Sequence, residues 1–426
     1  MMKKRIPILA AVFLLLSASI FSACSKDQED KPDPNETYQL SFAASPPLPG
    51  VTMDLLKKQF PEITFEFVSL NPTQMKQRIE ANDVPDIIMD IDRVTIPQEL
   101  FDKVQYDMTP LIQQSEIDLN AFEPGLIDHV RSYGTGEQIY ALPYSRYLYA
   151  LYYNKTVFDQ VGVPYPTDGM TWTDTLNLAK QFSNKMNIHG LEPIFTDLSF
   201  VSLIDQRGLS FLDAGTDRAQ VDSDGWKQLF ENIREIYSIA GNGMEYAGNV
   251  RAFTEQGKIA MALGYGLDFL QGGSASQDID LVSFPTLDDV PSVGPGNRTL
   301  NLMLTAQSKN KQKAMEVIQY LLSPDVQLQN SKNGIAPVLA DSEIMRAYGT
   351  EVQSIQGKHL EAFFQNKLPN IGAISPYEGT AYLTAGPFFQ KAIDREQNLS
   401  EVLSAMKLAI DKSITELKNH TTSDLD

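Results

Sequence analysis

Strand-like and helical segments alternate from the first folded part of the chain onward. The runs 38–43, 63–70 and 86–91 have the apolar or alternating character of strands, and 51–60 and 73–82 between them have helical spacing. An order β-α-β-α-β predicts a mostly parallel sheet covered by helices. We therefore expect an α/β fold.

The same alternation continues through the rest of the chain. Amphipathic helices are predicted at 171–182, 222–240, 309–324 and 399–420, and strands at 258–263, 279–284 and 300–305. Thr171 or Thr173 is expected to cap the first of these helices, and Asp222 or Asp224 the second. Pro324 is expected to end the third. A chain of 426 residues is too long for one ordinary core, so two domains are expected.

The overall charge restricts the partners of this protein. The formal net charge is -19, and no cluster of lysines and arginines follows the first five residues. An acidic surface repels nucleic acid and anionic lipid. We therefore expect no nucleic-acid partner.

The first residues have the pattern of an export signal. Three positive charges in Met1–Arg5 precede the apolar run 6–20, and 21-FSAC-24 follows. This ending resembles the bacterial lipobox, in which Cys24 would be lipidated; the alternative is an ordinary signal peptide with a chance cysteine. We expect residues 1–23 to be a lipoprotein signal peptide and 24–37 a flexible tether, because 25–36 is charged and lacks apolar periodicity. The protein would then be anchored outside the cytoplasm by its lipid alone.

Cysteine and histidine usage limits the chemistry. Cys24 is the only cysteine, which argues against a thiol nucleophile or a cysteine-based zinc site in the folded body. The four histidines are far apart and form no metal-binding motif. Neither a metal nor a cofactor is expected.

Several motifs resemble, in order, the extracellular solute-binding proteins of ABC importers, specifically the carbohydrate-type group that includes maltose-binding protein. The matching segments are 57-KKQFPEITFEFV-68, 85-PDIIMD-90, 107-DMTPLI-112, 137-EQIYALPYSRYLYALYYNKTVFDQVG-162, 171-TWTD-174, 253-FTEQGKIAMALG-264 and 308-SKNKQKAMEVIQYLLSP-324. Each motif is weak alone, but together they span most of the chain after the signal.

The resemblance implies a two-lobed fold of the type II periplasmic-binding-protein kind, with a ligand cleft between the lobes. The N-terminal lobe would comprise 38–150 plus 303–340, and the C-terminal lobe 151–302 plus 341–426. Hinge closure around a ligand is known for such proteins. The implied partners are a small solute, expected to be a carbohydrate, and the permease subunits of an ABC transporter, with the receptor itself a monomer.

A cluster of tyrosines falls where the resemblance places the first crossing between the lobes. Six of the chain's 17 tyrosines lie between residues 140 and 153. Tyr144, Arg146, Tyr147 and Tyr149 are predicted to face the cleft, because tyrosine offers a flat apolar face and a hydroxyl to a sugar. The alternative is that these tyrosines pack within the sheet.

Other candidate ligand-binding residues come from the resemblance alone. Asp92 and Arg93 match an Asp-Arg pair that contacts sugar, and Asp90 is an alternative because the alignment is loose there. An ion pair or a loop cap would explain the same residues equally well. Tyr265, Phe269 and Tyr377 occupy loops that carry aromatic residues in the family. Trp172 and Trp226 start predicted helices, and Trp172 is expected in the core, so tryptophan platforms for long glucans are absent.

Three functions remain open from sequence. The first is a lipid-anchored receptor, without enzymatic activity, that delivers a solute to an ABC importer. The second is an anchored glycan hydrolase that uses two carboxylates. The third is a ligand receptor for a sensor kinase.

Overall fold

The computed structural model describes residues 37–44, 47–69, 72–91, 98–115, 117–132, 136–183, 185, 187–193, 197–239, 250–271, 278–296, 298–370 and 372–423. The predicted signal segment with Cys24 lies outside these residues, and so does the Asp92–Arg93 pair.

Strands and helices alternate along the described chain. The strands are β1 (Tyr38–Ala44), β2 (Ile63–Ser69), β3 (Ile87–Ile91), β4 (Leu142–Arg146), β5 (Tyr149–Asn154), β6 (His189–Pro193), β7 (Ile259–Tyr265), β8 (Ile279–Ser283) and β9 (Thr299–Leu304). The helices are α1 (Gly50–Gln59), α2 (Pro72–Glu80), α3 (Gln98–Val104), α4 (Thr109–Gln114), α5 (Leu126–Arg131), α6 (Lys155–Val161), α7 (Trp172–Lys180), α8 (Asp197–Gln206), α9 (Asp224–Ser238), α10 (Val250–Thr254), α11 (Lys311–Leu321), α12 (Pro324–Lys332), α13 (Ser342–Arg346), α14 (Glu378–Ile393) and α15 (Leu399–Ser423). Short 3-10 turns lie at Leu119–Ala121, Asp268–Leu270, Gln353–Ile355 and Leu360–Phe364. Among the described helices, none combines the length and apolar character needed to cross a bilayer.

The strands form two sheets, which confirms the α/β class. The first has the order β2-β1-β3-β9-β4, and the second has the order β6-β7-β5-β8. The sheets are mixed rather than mostly parallel. Parallel pairing joins β1 to β2, β1 to β3 and β6 to β7, whereas β9 and β5 pair antiparallel with both of their neighbours. The β-α-β-α-β segment is parallel as predicted, and the antiparallel strands flank the places where the chain passes between the sheets.

The chain passes from one sheet to the other more than once. Arg146 ends β4 in the first sheet, and Tyr149 begins β5 in the second, so the first crossing takes only two intervening residues. The chain returns between β8 and β9. Strand β9 lies wholly in the first sheet, whereas the predicted boundary after residue 302 would divide it. The lobe limits otherwise stay a prediction.

Each sheet is packed against its own helices. One core combines the first sheet with buried residues of α1, α11 and α12. A second covers one face of the second sheet with α7, α9, α14 and α15. A third lies on the opposite face of that sheet and is completed by Ala336, Tyr348, Ile355, Ala362 and Phe363. Alternation along β5 explains the division, since Leu151 and Tyr153 enter the second core and Ala150 and Tyr152 the third.

Local sequence signals explain the helix limits only in part. Thr171 caps α7 in a reciprocal capping box with Asp174, and Trp172 is buried in the core as predicted. The predicted aspartate cap of α9 was wrong, because Ser223 occupies the N-cap position and Asp222 pairs with Lys407 at 3.2 Å. Pro324 was expected to end α11, but it is the first residue of α12, where a missing N–H costs nothing.

Candidate functional site

A pocket opens where the chain passes between the two sheets. It is a small hollow that is partly open to solvent. Its walls come from the first crossing, from the segment before β9, from α13 and from the segment after Leu360. The lining residues are Glu123, Arg146, Tyr147, Leu148, Tyr149, Gly294, Pro295, Gly296, Met345, Phe363, Phe364, Asn366, Lys367 and Leu368.

Backbone hydrogen bonds join three passes of the chain beside this pocket. The amide of Tyr147 donates to the carbonyl of Arg298 at 2.8 Å, and the amide of Arg146 donates to the carbonyl of Ala336 at 3.3 Å. The first crossing is therefore bonded both to the segment that returns to the first sheet and to the segment that follows α12. This arrangement places the pocket beside the covalent connections between the sheets.

The wall at 294–296 requires small residues. A Cβ on Gly296 would lie 2.0 Å from Oδ2 of Asp205, and one on Gly294 would lie 2.9 Å from Cβ of Asn366. The amide of Gly294 also donates to the carbonyl of Lys367 at 2.9 Å. Glycine thus lets two segments approach closely and brings Asn366 and Lys367 to the pocket.

Three tyrosines form one aromatic group at the first crossing. The ring centroids of Tyr147 and Tyr265 are 5.1 Å apart, and those of Tyr149 and Tyr265 are 6.0 Å apart, both edge to face. Tyr147 and Tyr265 are partly buried, whereas Tyr149 is almost wholly buried. Tyr147 and Tyr149 line the pocket, with Tyr265 packed against both. Their role in ligand binding remains a prediction.

Arg146 supplies the buried charge of the pocket. It is 9% exposed, and Cζ lies 5.6 Å from the ring centroid of Phe364. Burial lowers the pKa of Arg146 from its ordinary value, while the nearby Glu123 and Tyr348 act in the opposite direction. A buried cation is costly unless an anion compensates it.

Tyr144 lies away from the pocket, in the core of the first sheet. It is 1% exposed, and its hydroxyl is 3.1 Å from both Oγ1 of Thr52 and Nδ2 of Asn330. Burial raises its pKa to about 12. The side chain therefore joins α1 to α12. In a regular strand Tyr144 and Arg146 would share a face, but the register of β4 against β9 shifts between Pro143 and Ser145, and Tyr144 packs in the first core instead of lining the pocket. Its predicted contact with a ligand stays a prediction.

Three further predicted ligand-binding residues lie away from the pocket. Asp90 is 1% exposed within β3, opposite Asn301 of β9. Phe269 packs in the third core against Tyr152, with a centroid distance of 4.8 Å, and a Cβ on Gly264 would collide with its ring. Tyr377 precedes α14, and Nζ of Lys418 lies 5.0 Å from its ring centroid. None of the three lines the pocket.

Sequence reasoning missed most of the other lining residues. Glu123, Met345, Phe364 and Lys367 belong to segments far apart in sequence, and no local pattern marks them. The run 294-GPG-296 was the available signal, because glycine and proline punctuate loops. Among the residues that the structure describes, no three or more His, Cys, Asp or Glu side chains gather as metal ligands would.

The sequence matches the family of bacterial extracellular solute-binding proteins over residues 41–328, well over half of the chain. The chain belongs to this family. Members of the family are binding proteins that act outside the cytoplasm, so this chain is an extracytoplasmic solute-binding protein. A comparison of the sequence with curated proteins found no significant match.

Solved structures of similar fold agree with this assignment. An ABC substrate-binding protein from Listeria monocytogenes in complex with cycloalternan is 17% identical, with a TM-score of 0.70 over 89% of this chain and 99% of that one. The sugar-binding protein MalE from Xanthomonas citri is 15% identical, with a TM-score of 0.70 over 90% and 99%. UgpB from Mycobacterium tuberculosis in complex with glycerophosphocholine is 14% identical, with a TM-score of 0.68 over 89% and 99%. At these identities the likeness establishes the two-lobed fold.

Proposed function

We propose that this protein captures a sugar or oligosaccharide between its two lobes and delivers it to the permease of an ABC importer. The observation that carries the proposal is the position of the pocket, which lies beside the chain crossings that would act as the hinge. Domain interfaces are favoured ligand sites, and closure of two domains around a ligand is an established two-state motion. The aromatic group Tyr147, Tyr149 and Tyr265 offers ring faces and hydroxyls of the kind that bind sugars.

The similar structures support a carbohydrate ligand. The Listeria monocytogenes protein is described with cycloalternan, and the Xanthomonas citri protein is described as sugar-binding. The Mycobacterium tuberculosis protein is described with glycerophosphocholine, so the fold also accommodates a ligand with ionic groups. These names guide the choice of compounds for testing.

A thermal-shift panel of mono-, di- and oligosaccharides tests the proposal. A ligand at 100 times its Kd should add about 2.7 kcal/mol to the free energy of unfolding. Analysis of the same mixtures for products separates a receptor from the alternative hydrolase: a receptor stabilises without turnover. If every sugar leaves the melting temperature unchanged, the protein is not a sugar receptor. Small-angle scattering of a stabilised sample should show a smaller radius of gyration, as hinge closure requires.

We further propose that Cys24 carries the lipid that holds the protein at the membrane, with residues 24–37 as the tether. Cys24→Ala should move the protein from the membrane fraction to the soluble fraction while its melting temperature stays the same. A variant that remains wholly with the membranes would contradict lipid anchoring. A lipid-anchored receptor would also suit a sensor kinase partner, and crosslinking in cells would identify which membrane protein it contacts.

A further inference from the structure

The charge of the pocket differs from that of the whole chain. The chain has 54 acidic and 35 basic residues, and its net charge is -19. The pocket instead contains two cationic side chains, Arg146 and Lys367, and one carboxylate, Glu123. Its other lining residues carry no charge. An acidic protein thus presents a net positive site beside its chain crossings.

The guanidinium of Arg146 has no hydrogen-bond or salt-bridge partner among the residues that the structure describes. No described carboxylate lies within 4 Å of this guanidinium, and its buried Nε donates no hydrogen bond. Glu123 favours the charged form of Arg146 by electrostatic attraction at a distance, without a hydrogen bond to it. A buried guanidinium normally has its donors satisfied, because an unpaired buried charge is costly. Its free donors therefore point to a missing acceptor.

The guanidinium of Arg146 lies beside one aromatic ring of the pocket. Cζ of Arg146 lies over the ring of Phe364, so the ring supports the guanidinium through its face. The donors of a guanidinium lie in its plane, at the edge, where they match a carboxylate with two parallel hydrogen bonds. The backbone bond of Arg146 to Ala336 and the contact of its guanidinium with Phe364 thus position this arginine before any ligand arrives.

We infer that the pocket binds the anionic group of an acidic sugar, with Arg146 as the residue that selects it. This inference rests on the proposed sugar-binding function. The ligand class is a uronate or aldonate, whose carboxylate accepts from the guanidinium of Arg146. Lys367 adds a second positive charge at the solvent-exposed edge of the pocket. Glu123 accepts from sugar hydroxyls and, because it repels anions, limits the ligand charge that the pocket tolerates.

Isothermal titration calorimetry with the full-length chain tests the inference on matched pairs of compounds. The pairs are galacturonate and galactose, glucuronate and glucose, and lactobionate and lactose, with glucose 6-phosphate as an arm for phosphate. At least one acid should bind 30-fold or more tightly than its neutral partner. A preference for glucose 6-phosphate over every carboxylate would assign the site to phosphate and overturn the uronate or aldonate class.

Variants of Arg146 distinguish a role in selecting the acidic ligand from a role in packing the protein. Arg146→Gln should reduce affinity for the acid by about 100-fold and leave affinity for its neutral partner within threefold. Arg146→Lys should retain part of the preference, because it keeps the charge and loses the paired donors. Arg251→Gln is the matched control, since Arg251 is exposed and pairs only locally with Glu255, and it should change neither affinity.

Two results would overturn the inference. If neutral sugars bind as tightly as their acids, or more tightly, the inference of an acidic ligand is wrong. The proposed receptor function would still stand. Equal losses for acid and neutral sugar in Arg146→Gln would assign Arg146 a structural role. If no compound of either kind binds, the proposed function fails as well. The comparison of acid with neutral sugar on the unaltered protein stands even if a variant does not fold.

Discussion

The ring of Tyr147 meets the ring of Tyr265 edge to face, with centroids 5.1 Å apart and planes inclined by 77°. Tyr147 belongs to the first crossing, and Tyr265 ends β7 in the second sheet. The pair therefore fixes the orientation of a pocket side chain against the rigid second sheet. Such preorganisation reduces the entropy lost when a ligand is bound.

Replacement of Tyr147 tests whether this surface binds ligand. Tyr147→Ala should weaken binding of a stabilising sugar by on the order of 1–3 kcal/mol, as truncation of an aromatic contact residue does. Isothermal titration calorimetry measures the affinity, and thermal unfolding reports stability. Tyr165→Ala is the matched control, because Tyr165 is exposed and bonds to Asp159 on the same lobe. Unchanged affinity in Tyr147→Ala would remove Tyr147 from the binding surface.

Tyr144 should behave in the opposite way. Tyr144→Phe removes the hydroxyl that meets Thr52 and Asn330, and it leaves these buried groups with one partner fewer. The expected loss of unfolding free energy is about 1–3 kcal/mol, measured by urea denaturation. Sugar affinity should be retained. A variant with full stability and weakened binding would instead support the prediction that Tyr144 faces the ligand.

The sequence predicted the fold well because its signals are local. Alternation along 63–70, the apolar run at 86–91 and helical spacing along 222–240 are each features of one element at a time. The resemblance added the crossing at the tyrosine cluster. The sequence predicted β9 as a strand, but its place in the first sheet depends on antiparallel pairing with β3 and β4, and no local pattern encodes partners that distant in sequence.

The sequence predicted only those residues of the candidate site that lie together in one segment. Arg146, Tyr147 and Tyr149 lie in the motif that marks the first crossing, and all three line the pocket. Phe269 lies in the third core and not at the pocket, because its loop folds back onto Gly264. Glu123 and Lys367 were missed because tertiary packing alone brings them to Arg146. The lining of this pocket therefore includes residues that sequence spacing does not reveal.

His359 provides a test of the electrostatics on the second lobe. Its Nε2 lies 2.7 Å from Oδ2 of Asp168, and this hydrogen bond raises the pKa of His359 above its ordinary 6.5, with Glu361 and Asp280 acting in the same direction. A raised histidine pKa contributes stability that is present below the unfolded value and is lost as the pH rises through the folded value. NMR titration should show the elevated pKa.

Substitutions of its two neighbours distinguish their contributions. Asp168→Asn should lower the pKa of His359, because the hydrogen bond to the carboxylate is the largest cause of the shift. Glu361→Gln should have a smaller effect, since that exposed carboxylate is 3.6 Å from Nδ1. An unshifted titration in the unaltered protein, or a larger effect from Glu361, would contradict the contact.

Glu378 should make the stability of the second lobe depend on pH in the acidic to neutral range. It begins α14, and its carboxylate accepts from the amides of Phe211 at 2.6 Å and Leu212 at 3.1 Å. Burial is the largest influence and raises the pKa of Glu378 from 4.5 to about 7. The folded state then binds the proton more tightly than the unfolded state, so stability falls as the pH rises from 4.5 to 7. Relative to Glu378→Gln, which stays neutral, the free energy of unfolding should fall by roughly 2 kcal/mol between pH 5 and pH 8. Urea denaturation of both proteins across this range measures the difference, and a constant difference would show that the carboxyl titrates at its ordinary value.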